Sequence, residues 1–92
     1  MMEQRINEGY VITDSIHIGN AEFVIGENQT KYGTMYVTWR CKDQDNFFWG
    51  HYLSDRQAAE KDLLDRAVQE LNYQIQKKES AEKVSKGKER ER

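Results

Sequence analysis

At 92 residues, with 37% hydrophobic and 33% charged residues, the chain has room for one domain with one modest core. Fourteen Lys and Arg against sixteen Asp and Glu give a net charge of −2, which excludes the global pull of a nucleic-acid binder and the strong field of a polyanion mimic. The single cysteine, Cys41, excludes an intramolecular disulfide, and no apolar run reaches the roughly 20 residues of a membrane span; both point to a cytoplasmic protein with no membrane contact.

Residues 1–9, MMEQRINEG, show no sustained period and read as a flexible lead-in. From Tyr10 to Ile18 apolar and polar residues alternate. Tyr10, Ile12, Ile16 and Ile18 share one face, interrupted at Asp14 in the manner of a bulge or an edge position. Gly19-Asn20 is a two-residue hairpin signal, because glycine supplies a positive φ and asparagine tolerates one. The register that follows pairs Ile18 with Ala21, Ile16 with Phe23 and Asp14 with Ile25, and on the reverse face His17 with Glu22.

Asn28–Gly33 reads as a polar loop. The stretch Thr34–Leu53 then holds both tryptophans and two of the three phenylalanines. In it Met35, Val37, Trp39 and Cys41 share one strand face, and Phe47, Trp49, His51 and Leu53 share another. A turn at Asp43–Asp45 that pairs Lys42 with Asn46 brings Cys41 to Phe47, Trp39 to Trp49 and Val37 to His51. Ser54–Gln57 fits a capping box with Ser54 as N-cap. Behind it Leu64, Ala67, Val68, Leu71 and Ile75 recur at helical spacing, with Ala58 and Leu63 at the margins. The expected architecture is α+β: a four-stranded antiparallel meander followed by one long C-terminal helix packed on one sheet face (ββββα). It occupies residues 10–79, with Trp39 and Trp49 beneath Leu64, Val68 and Leu71, and residues 80–92 form a charged, disordered tail.

Chemistry is sparse. Cys41 reads as a buried structural thiol, and with His51 it lacks the close pairing of a nucleophile and its base. His17, His51 and Cys41 lack the short paired spacings of a zinc site, and no phosphate-binding glycine loop or serine elbow is present. No catalytic, metal or cofactor-binding residue is assigned. The sheet face away from the helix is expected to carry His17, Val24, Tyr36, Arg40, Phe48 and Tyr52, an aromatic group suited to a protein partner or a second copy. The same aromatics with Lys31 and Lys42 nearby also fit a platform for single-stranded nucleic acid.

The segments IHIGNAEFVIGEN, YVTWRCKDQDNFFWGHY and SDRQAAEKDLLDRA resemble those of small proteins of unassigned function encoded on conjugative elements and prophages of Firmicutes, over about Gly9 to Ile75. That resemblance carries no catalytic residue. It implies an accessory role of the anti-CRISPR or anti-restriction kind, in which a small protein binds and blocks a host defence nuclease. The expected function is therefore a non-enzymatic protein-binding factor, with a single-stranded nucleic-acid module or a small homodimeric regulator as the alternative.

Overall fold

The computed structural model describes residues 4–86. Five antiparallel strands in the order β1-β2-β3-β4-β5 form a sheet curled into a half-barrel, and a single helix follows. The strands are β1 (Ile6–Asn7), β2 (Tyr10–Ile18), β3 (Ala21–Thr30), β4 (Gly33–Lys42) and β5 (Asn46–Leu53), and the helix is α1 (Arg56–Lys86). The α+β class stands, with five strands instead of four. The additional strand lies in the expected lead-in: Asn7 pairs with Tyr10 across a two-residue turn at Glu8-Gly9, where both residues have positive φ (54° and 84°). This is the turn chemistry that matches the twist of a hairpin.

The β2–β3 hairpin has the register read from Gly19-Asn20, including Ile18 with Ala21, Ile16 with Phe23 and His17 with Glu22, and it shifts between Ile12 and Asp14 as the interrupted face suggests. The expected Asn28–Gly33 loop is instead strand. Thr30 pairs with Gly33, leaving Lys31-Tyr32 as a two-residue turn, and Gly33 takes a φ of 115° that side chains rarely adopt.

β3 lies at the centre of the sheet, and Ala21–Gly26 are buried on both faces. Its pairing with β4 decides which residues meet α1. Phe23 lies opposite Arg40 and Ile25 opposite Thr38, whereas Val24 lies opposite Trp39 and Glu22 opposite Cys41. Two cores result. Ala21, Phe23 and Ile25 pack with Ala59 and Leu63 of α1, joined by Ile16, Tyr36 and Leu53. On the other face Val24, Val37, Trp39 and Cys41 are buried together, joined by Tyr10, Ile12 and Phe47. Trp39 anchors this second core, meeting Tyr10 edge-on at 5.7 Å and Phe47 at 5.4 Å between ring centroids. The expectation that Trp39 lies under the helix is therefore overturned, because pairing with Val24 puts it on the face away from α1.

β5 begins in the expected register, Lys42 with Asn46 and Cys41 with Phe47, and then shifts between Thr38 and Arg40. Trp49-Gly50 forms a bulge there, so Thr38 meets His51 and Val37 meets Tyr52. Trp49, at φ 56°, is thrown outward and is 68% exposed. Gly50 is required at this point: a Cβ would lie 2.8 Å from Trp39 Nε1 and 3.1 Å from a ring carbon of Tyr52.

α1 starts one residue later than the capping box suggests. Asp55, not Ser54, caps it by accepting a hydrogen bond from the Ala58 N–H at 3.0 Å. Its sheet-facing apolar residues are Ala59, Leu63 and Ala67, all buried, while Leu64, Val68, Leu71 and Ile75 are 45–56% exposed. Ala67 of the expected stripe thus faces the sheet, while its four larger residues point outward. Small alanines let the helix axis come close to the sheet, and the sheet there presents Thr38, Arg40 and His51, which need polar partners that leucines cannot supply. The helix continues to Lys86, across the start of the expected tail, and residues 87–92 lie outside the described residues.

The second core is braced by a partly buried ion pair. Arg5 donates to both oxygens of Glu22, at 2.7 and 3.2 Å, and also to the Gln44 carbonyl at 3.1 Å, while Ser15 donates to Glu22 at 2.6 Å. Arg5 lies 5.9 Å from the Phe47 ring centroid, so the segment before β1 reaches across to the β4–β5 hairpin. The Arg5 hydrogen bonds hold the Glu22 carboxyl down at about 2, against the opposing effect of burial, and burial beside Glu22 pushes the Cys41 thiol up.

Two measurements check these placements. Trp39→Ala is expected to destabilise by about 3–5 kcal/mol and Val68→Ala by about 0.5 kcal/mol or less in denaturant melts of the monomer. Because the folded Glu22 carboxyl titrates at about 2 and its ordinary value is 4.5, its contribution is fully present above about 4.5 and is lost as pH falls towards about 2. Glu22→Gln is expected to be less stable than the wild type at pH 7, with the gap in melting temperature closing through that acid window. A gap unchanged at pH 2 would show that the charge on Glu22 does not stabilise the fold.

Candidate functional site

α1 rests on the sheet through a row of polar contacts, and these outline a cleft. Arg56 donates to Asp14 at 2.5 Å, Thr38 donates to Asp62, and His51 Nδ1 lies 2.9 Å from Asp62 Oδ2. Further along, Arg66 donates to the Trp49 carbonyl, Arg40 Nη1 lies 3.4 Å from Glu70, and Gln74 donates to the Ile18 carbonyl at 2.9 Å. Each lies on the helix surface between or beside Ala59, Leu63 and Ala67, so apolar and polar contacts alternate along one face. Burial opposes the charge on Asp62, but hydrogen bonds from Thr38 and His51 and the nearby Arg66 outweigh it and hold the carboxyl below its ordinary value. Burial lowers the Arg66 guanidinium, partly offset by Asp62, and its Nη1 is buried without a hydrogen-bond partner.

Between β4–β5 and α1 these groups leave a cleft of about 500 Å³, lined by Phe23, Arg40, Trp49, His51, Asp62, Asp65, Arg66, Gln69 and Glu70. Trp49 forms its rim. Phe48 meets the Trp49 ring edge-on at 5.0 Å, and the Arg40 guanidinium lies 5.8 Å from its centroid. A His held by a carboxylate is an acid–base arrangement, yet the lining carries no Ser, Cys or Lys to serve as nucleophile. Thr38, opposite His51, is fully buried and donates its hydroxyl to Asp62. Cys41 lies in the other core, on the opposite sheet face from His51, because the bulge at Trp49-Gly50 reverses the expected parity. Among the described residues no group of three or more His, Cys, Asp and Glu side chains is arranged to hold a metal ion.

The six residues expected to share one outer face are divided by the structure. Tyr36 packs against the helix-side core, Arg40 reaches Glu70, and Phe48 stands beside Trp49. His17 and Tyr52 lie on the other face: His17 sits 3.8 Å from Glu22, and Tyr52 is 56% exposed beside Tyr10 and Trp39. Val24 is fully buried and offers no outer surface. Tyr36 and Tyr52 therefore do not form a common stacking platform. The residue that sequence reasoning missed is Trp49, assigned to the core by its alternation with Phe47 and His51. The signal available was the glycine beside it, since a glycine inside a strand often marks a bulge.

No protein-family model, curated protein or solved structure matches the chain.

One measurement tests the polar seating of the helix. Asp62→Ala leaves the Thr38 hydroxyl buried without its acceptor and is expected to cost about 1–3 kcal/mol. Asp65→Ala, at an exposed position paired with Lys61, is expected to change stability by about 0.5 kcal/mol or less. Equal losses in urea melts would show that Asp62 is not a seating contact.

Proposed function

We propose that this protein is a non-enzymatic binding factor that acts by occupying a surface of another protein, with Trp49 as its anchor. The observation that carries the reading is the conformation of Trp49: a large ring held two-thirds in water by a residue in the left-handed region. A side chain in that region costs about 1–2 kcal/mol, and exposing an indole to water gains nothing in the free protein. Phe48 and Arg40 flank it, and Trp and Arg are the residue types that most often dominate binding energy at protein interfaces. The charges around the cleft, Arg40 and Arg66 against Asp62, Asp65 and Glu70, are mixed in sign and so suit a protein rim better than a polyanion. The resemblance to mobile-element proteins makes a host defence nuclease the partner class to try first.

Capture of a partner from a bacterial lysate, followed by titration with Trp49 variants, tests the reading. Trp49→Ala is expected to weaken binding by about 2 kcal/mol or more, roughly thirtyfold, while Trp49→Gly retains or slightly raises the melting temperature because glycine accepts the positive φ. A partner that binds Trp49→Ala as tightly as the wild type would remove this surface from consideration.

A further inference from the structure

We infer that the outer stripe of α1 is a contact between two copies of this chain, packed as an antiparallel pair of helices. Leu64, Val68, Leu71 and Ile75 follow one another at steps of four, three and four residues, the d-a-d-a spacing of a helix–helix seam. They are 56%, 54%, 45% and 45% exposed, and no strand covers them. At about 100° per residue the stripe is centred roughly 115° around the helix from Ala59, Leu63, Ala67 and Glu70. Two copies can therefore meet helix to helix with both sheets outside the pair.

The occupant follows from spacing and symmetry. A sheet presents no complementary 4-3-4 row, whereas a second α1 does. Pairing the helices about a point between Gln69 and Glu70 sets Leu64 against Ile75 and Val68 against Leu71, twice over by symmetry, which closes the contact at two copies. The same symmetry sets Lys61 against Lys78 of the other copy, and Asp65, paired with Lys61 at 3.1 Å, offsets that meeting of like charges. Antiparallel packing opposes the two helix dipoles as well, whereas parallel packing places like ends together. Lys61 and Lys78 fall at the seam's ends, where long side chains carry their charge into water. With four aliphatic residues per copy the interface is small, so the pair is expected to separate on dilution. The Trp49 surface lies on the cleft side of α1, outside the seam, so the pair presents two Trp49 sites at once.

Sedimentation equilibrium from low to high micromolar concentration tests the inference. The wild type is expected to rise from 10.9 kDa towards twice that mass. A chain carrying Val68→Glu and Leu71→Glu is expected to stay monomeric, as is one carrying Val68→Lys and Leu71→Lys, and an equimolar mixture of the two is expected to recover the dimer. Circular-dichroism melts at dilutions where the wild type is monomeric must match across all three chains, because the stripe is already exposed in the monomer. On a Cys41→Ser background, Leu64→Cys mixed with Ile75→Cys is expected to cross-link between the two chains under mild oxidation. A wild type that remains at 10.9 kDa throughout, or acidic and basic variants that dimerise as it does, overturns the inference, whatever else binds the stripe. Cross-links confined to Leu64→Cys homodimers overturn the antiparallel arrangement. Trp49→Ala is expected to dimerise normally, which separates this result from the partner-binding one.

Discussion

The structure depends on β3 being buried on both faces. A ten-residue strand at the centre of a five-stranded sheet has no side left for water over Ala21–Gly26, so each face must find its own cover. Phe23 and Ile25 find it in α1, and Val24 finds it in the aromatic residues of the strands themselves. Curling the sheet makes the second solution possible: Tyr10, Trp39, Phe47 and Tyr52 converge across the concave side, and Arg5 spans it from before β1 to the turn at Gln44. Glu22 then sits buried at the edge of an apolar cluster, and its charge is tolerable there only because Arg5 and Ser15 satisfy it. Without Arg5 the same position would hold an unpaired buried carboxylate.

The way α1 docks follows from that allocation. With the tryptophan of β4 committed to the concave side, the strand shows α1 the alternate set, Tyr36, Thr38 and Arg40. Thr38 and Arg40 require hydrogen-bonding partners, and Asp62 and Glu70 supply them. Between those carboxylates only small or single apolar residues fit, which is why Ala59, Leu63 and Ala67 face inward and the bulkier aliphatics do not. The bulge in β5 continues the same logic. By inserting Trp49-Gly50 it rotates His51 onto the helix side, within reach of Asp62, and clears room for Trp39 against Gly50.

What the sequence made legible was whatever short-range chemistry determines. Gly19-Asn20 sets a turn, the turn sets a register, and the register sets which of Ile16, Phe23 and Ile25 share a face. Asp43–Asp45 set the start of the β4–β5 pairing equally well. Glu8-Gly9 carried a turn signal too, but only two residues precede it in the strand, too few to display alternation. The failures came where a decision was made across the sheet. Alternation shows that Val37, Trp39 and Cys41 lie together, yet it is silent on whether α1 or the curled sheet covers them. Helical spacing likewise shows that Leu64, Val68, Leu71 and Ile75 lie together, and the rule that an apolar stripe faces the core fails once alanine occupies the inward positions.

The surfaces left over have a common origin in that inversion. A helix seated through alanines and charged groups carries its large aliphatic residues on the outside, and a strand that bulges to seat His51 carries its second tryptophan on the outside. Neither exposure is needed for the monomer's stability, since both cores are closed without Leu64, Val68, Leu71, Ile75 or Trp49. Replacing these residues by polar ones would cost the isolated fold little and would make it more soluble. On the reading proposed above they serve contacts outside the monomer, and because the two surfaces lie on different sides of the same helix, a partner on Trp49 would leave the α1 stripe open to a second copy.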